Sequence, residues 1–150
     1  MNTNEIFNLL AKKCKGTFLG VFARDKLPKN LPKKRNVSLI INTQGSAKKG
    51  LHWIAMYFDK NGNGEYFDSF GLPASTHPIF ERYLNKHCRK WIMNRKQIQS
   101  VVSSVCGHYV VMYCFYKHLN YSMRSIVNCW TSDTGLNDEI AYRFVYDHLK

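Results

Sequence analysis

No stretch of about 18 consecutive apolar residues occurs in the chain, so nothing in it reads as a membrane-crossing helix. The first residues, Met1-Asn2-Thr3-Asn4-Glu5, carry no basic flank leading into an apolar run, so no secretory signal is expected. Proline (4) and glycine (9) are too few for a collagen-like or repetitive chain, and no internal repeat is found. No CxxC pair is present, and the five cysteines, Cys14, Cys88, Cys106, Cys114 and Cys129, are an odd number. Without a signal, that argues against a disulfide framework and for a reducing compartment. Acidic residues are scarce, with 10 Asp+Glu against 22 Lys+Arg. What is present is a globular composition, 45% hydrophobic over 150 residues, too apolar for a disordered chain. The length suits one domain spanning 1–150, large enough to bury about 68–70% of its unfolded surface.

The formal net charge of +12 is unevenly spread. Residues 1–50 hold Lys33, Lys34, Arg35 and eight further Lys/Arg against only Glu5 and Asp25. A second cluster, Lys86, Arg89, Lys90, Arg95 and Lys96, contains no acid. These two groups are the candidate contacts to a polyanion such as DNA, although a basic solvated surface has the same composition. Cys114 and His118 stand four apart on an expected helix, but no second pair completes a tetrahedral set, so no metal site is expected.

Hydrophobic periodicity predicts a helix over residues 4–13, which Gly16 can close. The basic, proline-containing segment 23–36 reads as a loop. Strands are expected at 37–43 (VSLIINT), at 51–58 (LHWIAMYF), and from Glu65 to Phe70 after the Asn61-Gly62-Asn63-Gly64 turn. A helix is expected from Pro78 to His87, and a strand from Trp91 to Val102. Cys106 to Leu119 has no polar face in its centre and reads as a buried helix, with Ser103 or Ser104 as its cap. A short helix is expected over 122–130. A last one is expected over 136–149, with Asp138 and Glu139 in its first turn. The order predicts an α+β fold with one mainly antiparallel sheet.

Cys106 opens the buried helix, where the macrodipole favours a thiolate, and Gly107 removes bulk beside the sulfur. A buried structural cysteine fits the residue type equally. A nucleophile needs a base. His52 alternates with Trp53 in a strand, and Asp68 lies among aromatics on the returning strand, where a carboxylate needs a partner. The hairpin register decides whether the two meet. A two-residue Asn61-Gly62 loop makes opposed residue numbers add to 123 and puts them on opposite faces. Their pairing therefore predicts an odd-length loop, or a bulge at Gly62 or Gly64. Asp59 and Glu65, which flank the turn, are expected to meet solvent. The Cys106 N–H and a glutamine amide, Gln99 or Gln97, are candidate oxyanion donors.

Phe18-Leu19-Gly20-Val21-Phe22 with Asp25, Ile40-Ile41-Asn42-Thr43, Gly50-Leu51-His52-Trp53-Ile54-Ala55, Tyr66-Phe67-Asp68-Ser69-Phe70-Gly71, and Gln99 seven residues before Cys106-Gly107 follow one another in order. In these motifs the chain resembles the adenovirus-type cysteine proteases (adenain), including relatives in virophages and adenovirus-like transposons. The same order of His, acid, Gln and Cys marks the wider clan of ubiquitin-like-protein (SUMO) proteases. The resemblance implies a circularly rearranged papain-like fold and a thiol endopeptidase with Cys106 as nucleophile and His52 as base. Asp68 stands where adenovirus enzymes have Glu, and Gln99 is the oxyanion-hole side chain. Trp53 and Gly107 are the expected substrate-binding residues. It further implies cleavage of viral capsid precursors at Gly-Gly-X or Gly-X-Gly sites in the virion and at the nuclear or cytoplasmic site of assembly. Chemistry would need no cofactor, but DNA and a viral peptide linked through Cys88 are candidate activators. The enzyme is expected to be a monomer without membrane contact. The alternatives are a ubiquitin/SUMO-type isopeptidase and a non-catalytic, basic nucleic-acid-binding protein.

Overall fold

The computed structural model describes residues 1–46 and 52–150. Helix α1 spans Thr3–Lys13 and begins in a capping box, with the Asn2 side chain accepting the Glu5 N–H and the Glu5 carboxylate accepting the Asn2 N–H. Its buried stripe is Ile6 and Leu10. Strand β1 is Phe18–Ala23, β2 Val37–Asn42, β3 Trp53–Phe58 and β4 Asn63–Phe67. Helix α2 covers Pro78–His87, with proline in its first turn, where no intrahelical donor is lost. Then come β5 (Lys90–Met93), α3 (Cys106–His118), α4 (Met123–Asn128) and α5 (Thr134–Phe144), ending in a π-turn over Val145–Leu149.

The strands lie in the order β1-β2-β3-β4-β5. The two central pairings are antiparallel, as expected, whereas β1 runs parallel to β2 and β5 parallel to β4. The sheet is therefore mixed. Four strands point toward one end, and only β3 starts there. Alternation sends Ile40, Ala55, Tyr57 and Phe67 to a core shared with α1, α3, α4 and α5. Leu39, Ile41, Ile54, Met56, Phe58 and Tyr66 go to a second core under α2. Helix α3 is buried through most of its length, as its unbroken apolar run predicts.

The β3–β4 register matches the expectation. Ala55 opposes Phe67 and Phe58 opposes Gly64, so paired numbers add to 122. The Asp59 N–H closes the turn on the Asn63 carbonyl at 2.9 Å, leaving a three-residue loop, Lys60-Asn61-Gly62. Gly62 takes φ 85°, the left-handed conformation this turn requires. The Asp59 carboxylate accepts the Asn61 and Asn63 backbone N–H groups and ties the loop to itself.

Five expectations change. Strand β1 is absent from the sequence reading, because its alternation is broken by Gly20. The strand expected over 91–102 is real only for Lys90–Met93; Asn94 then turns its side chain back onto Asp68, and the chain leaves the sheet. Helix α3 is preceded by Val105 with no side-chain cap, since the Ser103 hydroxyl donates to the Ser100 carbonyl instead. Helix α5 is capped by Asp133, so Asp138 and Glu139 fall beyond its first turn. Glu65 does not face solvent. It accepts from the Tyr113 hydroxyl and pairs with Lys117 at 3.1 Å against α3. The Leu51 start expected for β3 lies outside the described residues.

Gly71 offers a test of how tightly the chain is packed beside the strand ends. It has φ +70°, and a Cβ there would stand 2.7 Å from the Arg95 carbonyl oxygen and 3.0 Å from the Gln97 nitrogen. Gly16, at φ +89°, has nothing within 4 Å of that position. Gly16→Ala is expected to cost about 1 kcal/mol from backbone conformation alone. Gly71→Ala should cost about 2–4 kcal/mol, because a backbone clash is added. Urea unfolding of both variants measures the difference.

Candidate active site

His52 immediately precedes β3, and Asp68 immediately follows β4, so the register that puts even-numbered residues on one face brings them together. His52 Nε2 lies 2.8 Å from Asp68 Oδ1. The same register sets His52 opposite Phe70, and their rings stack with centroids 4.8 Å apart. Asp68 is 3% exposed, and its Oδ1 also accepts the Phe70 N–H at 2.8 Å. The buried carboxylate is thus satisfied by the imidazole and by its own loop.

The other ring nitrogen, His52 Nδ1, is buried and has no hydrogen-bond partner among the described residues. The Cys106 thiol, on the first residue of α3, lies close enough to the ring that the two groups perturb each other's protonation. Burial works against a charged ring, yet the hydrogen bonds and charges of Asp68 and Cys106 outweigh it and raise His52 from 6.5 to about 9. Burial likewise pushes the thiol up. His52, with the Trp53 and Gly107 backbone amides, reverses this and leaves Cys106 below its usual value. The arrangement favours a thiolate–imidazolium pair at the positive end of α3.

Gln99 lies in the loop after β5, not in a strand, and is fully buried. Its carbonyl accepts the Ser69 hydroxyl. Its amide nitrogen donates to the Ser103 carbonyl and hydroxyl at 3.2 and 3.1 Å. Gln97 is exposed, its amide donating to the Gln99 carbonyl. Trp53 is 7% exposed and edges a groove of about 570 Å³ that also includes Asn2, Asn42 and Ser46. Gly107, expected to meet substrate, is instead buried. A Cβ there would stand 3.2 Å from Met1 and 3.5 Å from both Ile6 and Trp53, so its role is to let α1 close over α3.

The basic residues divide. Lys33, Lys86 and Arg89 line one groove of about 800 Å³ together with Lys29, Cys88 and Lys60, the last outside both expected basic groups. Lys34, Arg35, Lys90 and Arg95 are exposed outside it. The Lys96 ammonium donates to the Trp130 carbonyl. Cys88 is half-buried, and its thiol donates to the Leu84 carbonyl at 2.9 Å; burial raises its pKa. Cys114 is sealed in the core, and His118 Nδ1 is engaged by Thr17 at 2.7 Å.

The model of the adenovirus endoprotease family matches residues 18–140. The chain belongs to the adenovirus endoprotease family. It is 28% identical to the protease of Bovine adenovirus 7 over 145 residues, covering 86% of this chain and 70% of that one. The protease of Bovine adenovirus 4 is also 28% identical, covering 85% of this chain and 76% of its own. Among solved structures, ASFV pS273R protease superposes with a TM-score of 0.52 at 28% identity, covering 83% of this chain but 44% of that protein. The family makes this chain a protease of the cysteine type, and its relatives are viral.

The charged pair sets a pH window. Hydrolytic activity should rise as the Cys106 thiol ionises below the ordinary thiol range, and fall as His52 loses, near pH 9, the proton a leaving amine needs. Asp68→Asn removes a group that holds that proton. Its basic limb should therefore move to lower pH, with a loss of about 10²–10⁴-fold in peak rate, the scale of a misoriented base. The pH dependence of kcat/KM for a peptide substrate measures both limbs; an unmoved basic limb counts against the assigned role.

Proposed function

We propose that this family member is an endopeptidase that cleaves viral precursor proteins at glycine-containing sites, with Cys106 as nucleophile, His52 as base and acid, Asp68 as orienting carboxylate and Gln99 as oxyanion donor. The observation that carries the reading is the imidazole held by Asp68 on Nε2, with Nδ1 unpartnered among the described residues and the Cys106 thiol near enough to shift the ring's protonation.

The steps follow from those positions. The Cys106 thiolate attacks the scissile carbonyl carbon, and the carbonyl electron pair moves onto oxygen. The Cys106 N–H, which has no helical acceptor at the start of α3, and the Gln99 amide, exchanged from Ser103, receive that oxyanion. Collapse breaks the C–N bond as the imidazolium gives its Nδ1 proton to the leaving amine. A water then attacks the thioester, and His52 takes its proton. The acyl group leaves as a carboxylic acid, and the thiolate–imidazolium pair is restored. Asp68 orients the ring and stabilises it in the steps where it carries the proton.

Glycine at the cleavage site, capsid precursors as substrates, action as a monomer, and work within the virion and the nuclear or cytoplasmic assembly site rest on family membership. Cys106→Ala should abolish cleavage of a Gly-Gly-X peptide, a loss of at least about 10³-fold, while the circular dichroism spectrum stays unchanged. Cleavage persisting in that variant removes Cys106 as nucleophile. Comparing a capsid-precursor peptide with a ubiquitin-tail isopeptide separates the endopeptidase from the isopeptidase reading.

The basic groove supports DNA as an activating partner, through Lys33, Lys86 and Arg89 with Lys29 and Lys60. Cys88 on its wall is the candidate link to an activating peptide, and it must first leave the Leu84 carbonyl to ionise. Replacing Lys33, Lys86 and Arg89 together by Ala should reduce the slope of log affinity against log salt by about 2–3, since each phosphate contact contributes about 0.9. Fluorescence anisotropy with duplex DNA reads this directly. An unchanged slope places DNA elsewhere or nowhere.

A further inference from the structure

The segment carrying the orienting acid is fastened, residue by residue, to the loop carrying the oxyanion glutamine. Asn94 Oδ1 accepts the Asp68 N–H at 3.0 Å, and Asn94 Nδ2 donates to the Asp68 carbonyl at 2.6 Å. The Ser69 carbonyl accepts both the Ile98 and Gln99 N–H groups, at 2.9 and 3.0 Å. The Ser69 hydroxyl donates to Gln99 Oε1. Asn94 is 4% exposed, and Ser69 and Gln99 are fully buried, so water does not compete for these bonds.

We propose that Ser69 and Asn94 are positioning residues for the reaction, forming one latch that sets the Gln99 amide through the Ser69 hydroxyl and the Asp68 carboxylate through the Asn94 amide.

A primary amide can flip, exchanging its donor and acceptor ends. Nε2 faces the Ser103 carbonyl, which can only accept, in the stretch leading into Cys106. With that end fixed, the Ser69 hydroxyl is the donor that holds Oε1. Without it the amide is held at one end only, and Nε2 loses its alignment with the nascent oxyanion. Asn94 acts on the other arm. Asp68 lies just beyond β4 and has no ladder partner there, so the reciprocal pair from Asn94 takes the place of a strand neighbour. Backbone drift at Asp68 would loosen its 2.8 Å contact with His52 Nε2.

This inference rests on the proposed peptidase reading, and the experiment separates the two. Ser69→Ala should lower kcat about 10-fold or more with KM changed less than about twofold, because the oxyanion forms only in the transition state. Ser69→Ala combined with Gln99→Ala should be no slower than Gln99→Ala alone, since the hydroxyl acts through that amide. Asn94→Leu keeps the volume, adds no charge and removes both bonds to the Asp68 backbone. It should move the basic limb of kcat/KM to lower pH, while Ser69→Ala leaves that limb in place. Additive losses for Ser69 and Gln99, or an unmoved limb in Asn94→Leu that folds by circular dichroism, overturn the latch. Cleavage at the wild-type rate in Cys106→Ala removes Cys106 as nucleophile, and absence of cleavage by the wild-type chain overturns the peptidase reading instead.

Discussion

A carboxylate buried among aromatic rings must find a cationic or donating partner, and the contact between Asp68 and His52 meets that requirement. Losing one member of such a buried pair costs about 3–5 kcal/mol, because the other charge is then stranded. Much of the surrounding geometry follows from this constraint. The three-residue turn with left-handed Gly62 sets an even register, the even register puts His52, Asp68 and Phe70 on one face, and the Phe70 ring then fixes the plane of the imidazole. A one-residue slip would turn the acid to the opposite face and leave both ionisable groups without partners.

The topology concentrates functional groups at one end of the sheet. Strands β1, β2, β4 and β5 all end there, β3 begins there, and α3 presents its N-terminus to the same place. Residues just past strand ends are largely free of ladder bonds; His52 keeps one, its carbonyl accepting the Thr43 N–H at 3.0 Å. His52, Asp68 and Asn94 occupy such positions, so their side chains and amides are available for the site rather than for the sheet. The cost is positional looseness. Burial, the Asn94 pair and the close approach of Gly71 to the Arg95 carbonyl remove it.

How legible this was depends on the range of each interaction. Cys106, His52 and Asp68 could be read from local pattern: a helix start, a strand alternation and an acid among aromatics. The hairpin parity could be deduced because only two registers exist and one of them separates the pair. Strand β1 could not be read, since Gly20 interrupts its alternation, and the parallel outer pairings could not, because they depend on distant partners. Gly107 reads as open space beside the sulfur until α1 is seen packed on it, with Met1 and Ile6 against that glycine. Asn94 and Ser69 gave no signal, being short polar residues whose partners stand 26 and 30 positions away.

The thiols show why one cysteine is chemically distinct. Burial without a cationic neighbour raises Cys14 to about 11 and pushes Cys114 higher still, while Cys88 is raised by burial and by Asp59. Cys106 is as deeply set as these, yet its pKa is lowered. The difference cannot come from exposure. It comes from His52, from two backbone amides, and from a place at the first turn of a helix whose dipole points positive toward the sulfur. Because His52 is itself held protonated by Asp68, the reactivity of the sulfur is set by a carboxylate it does not touch. Whatever keeps that carboxylate in register, from the Gly62 turn to the Asn94 amide, therefore bears on the nucleophile.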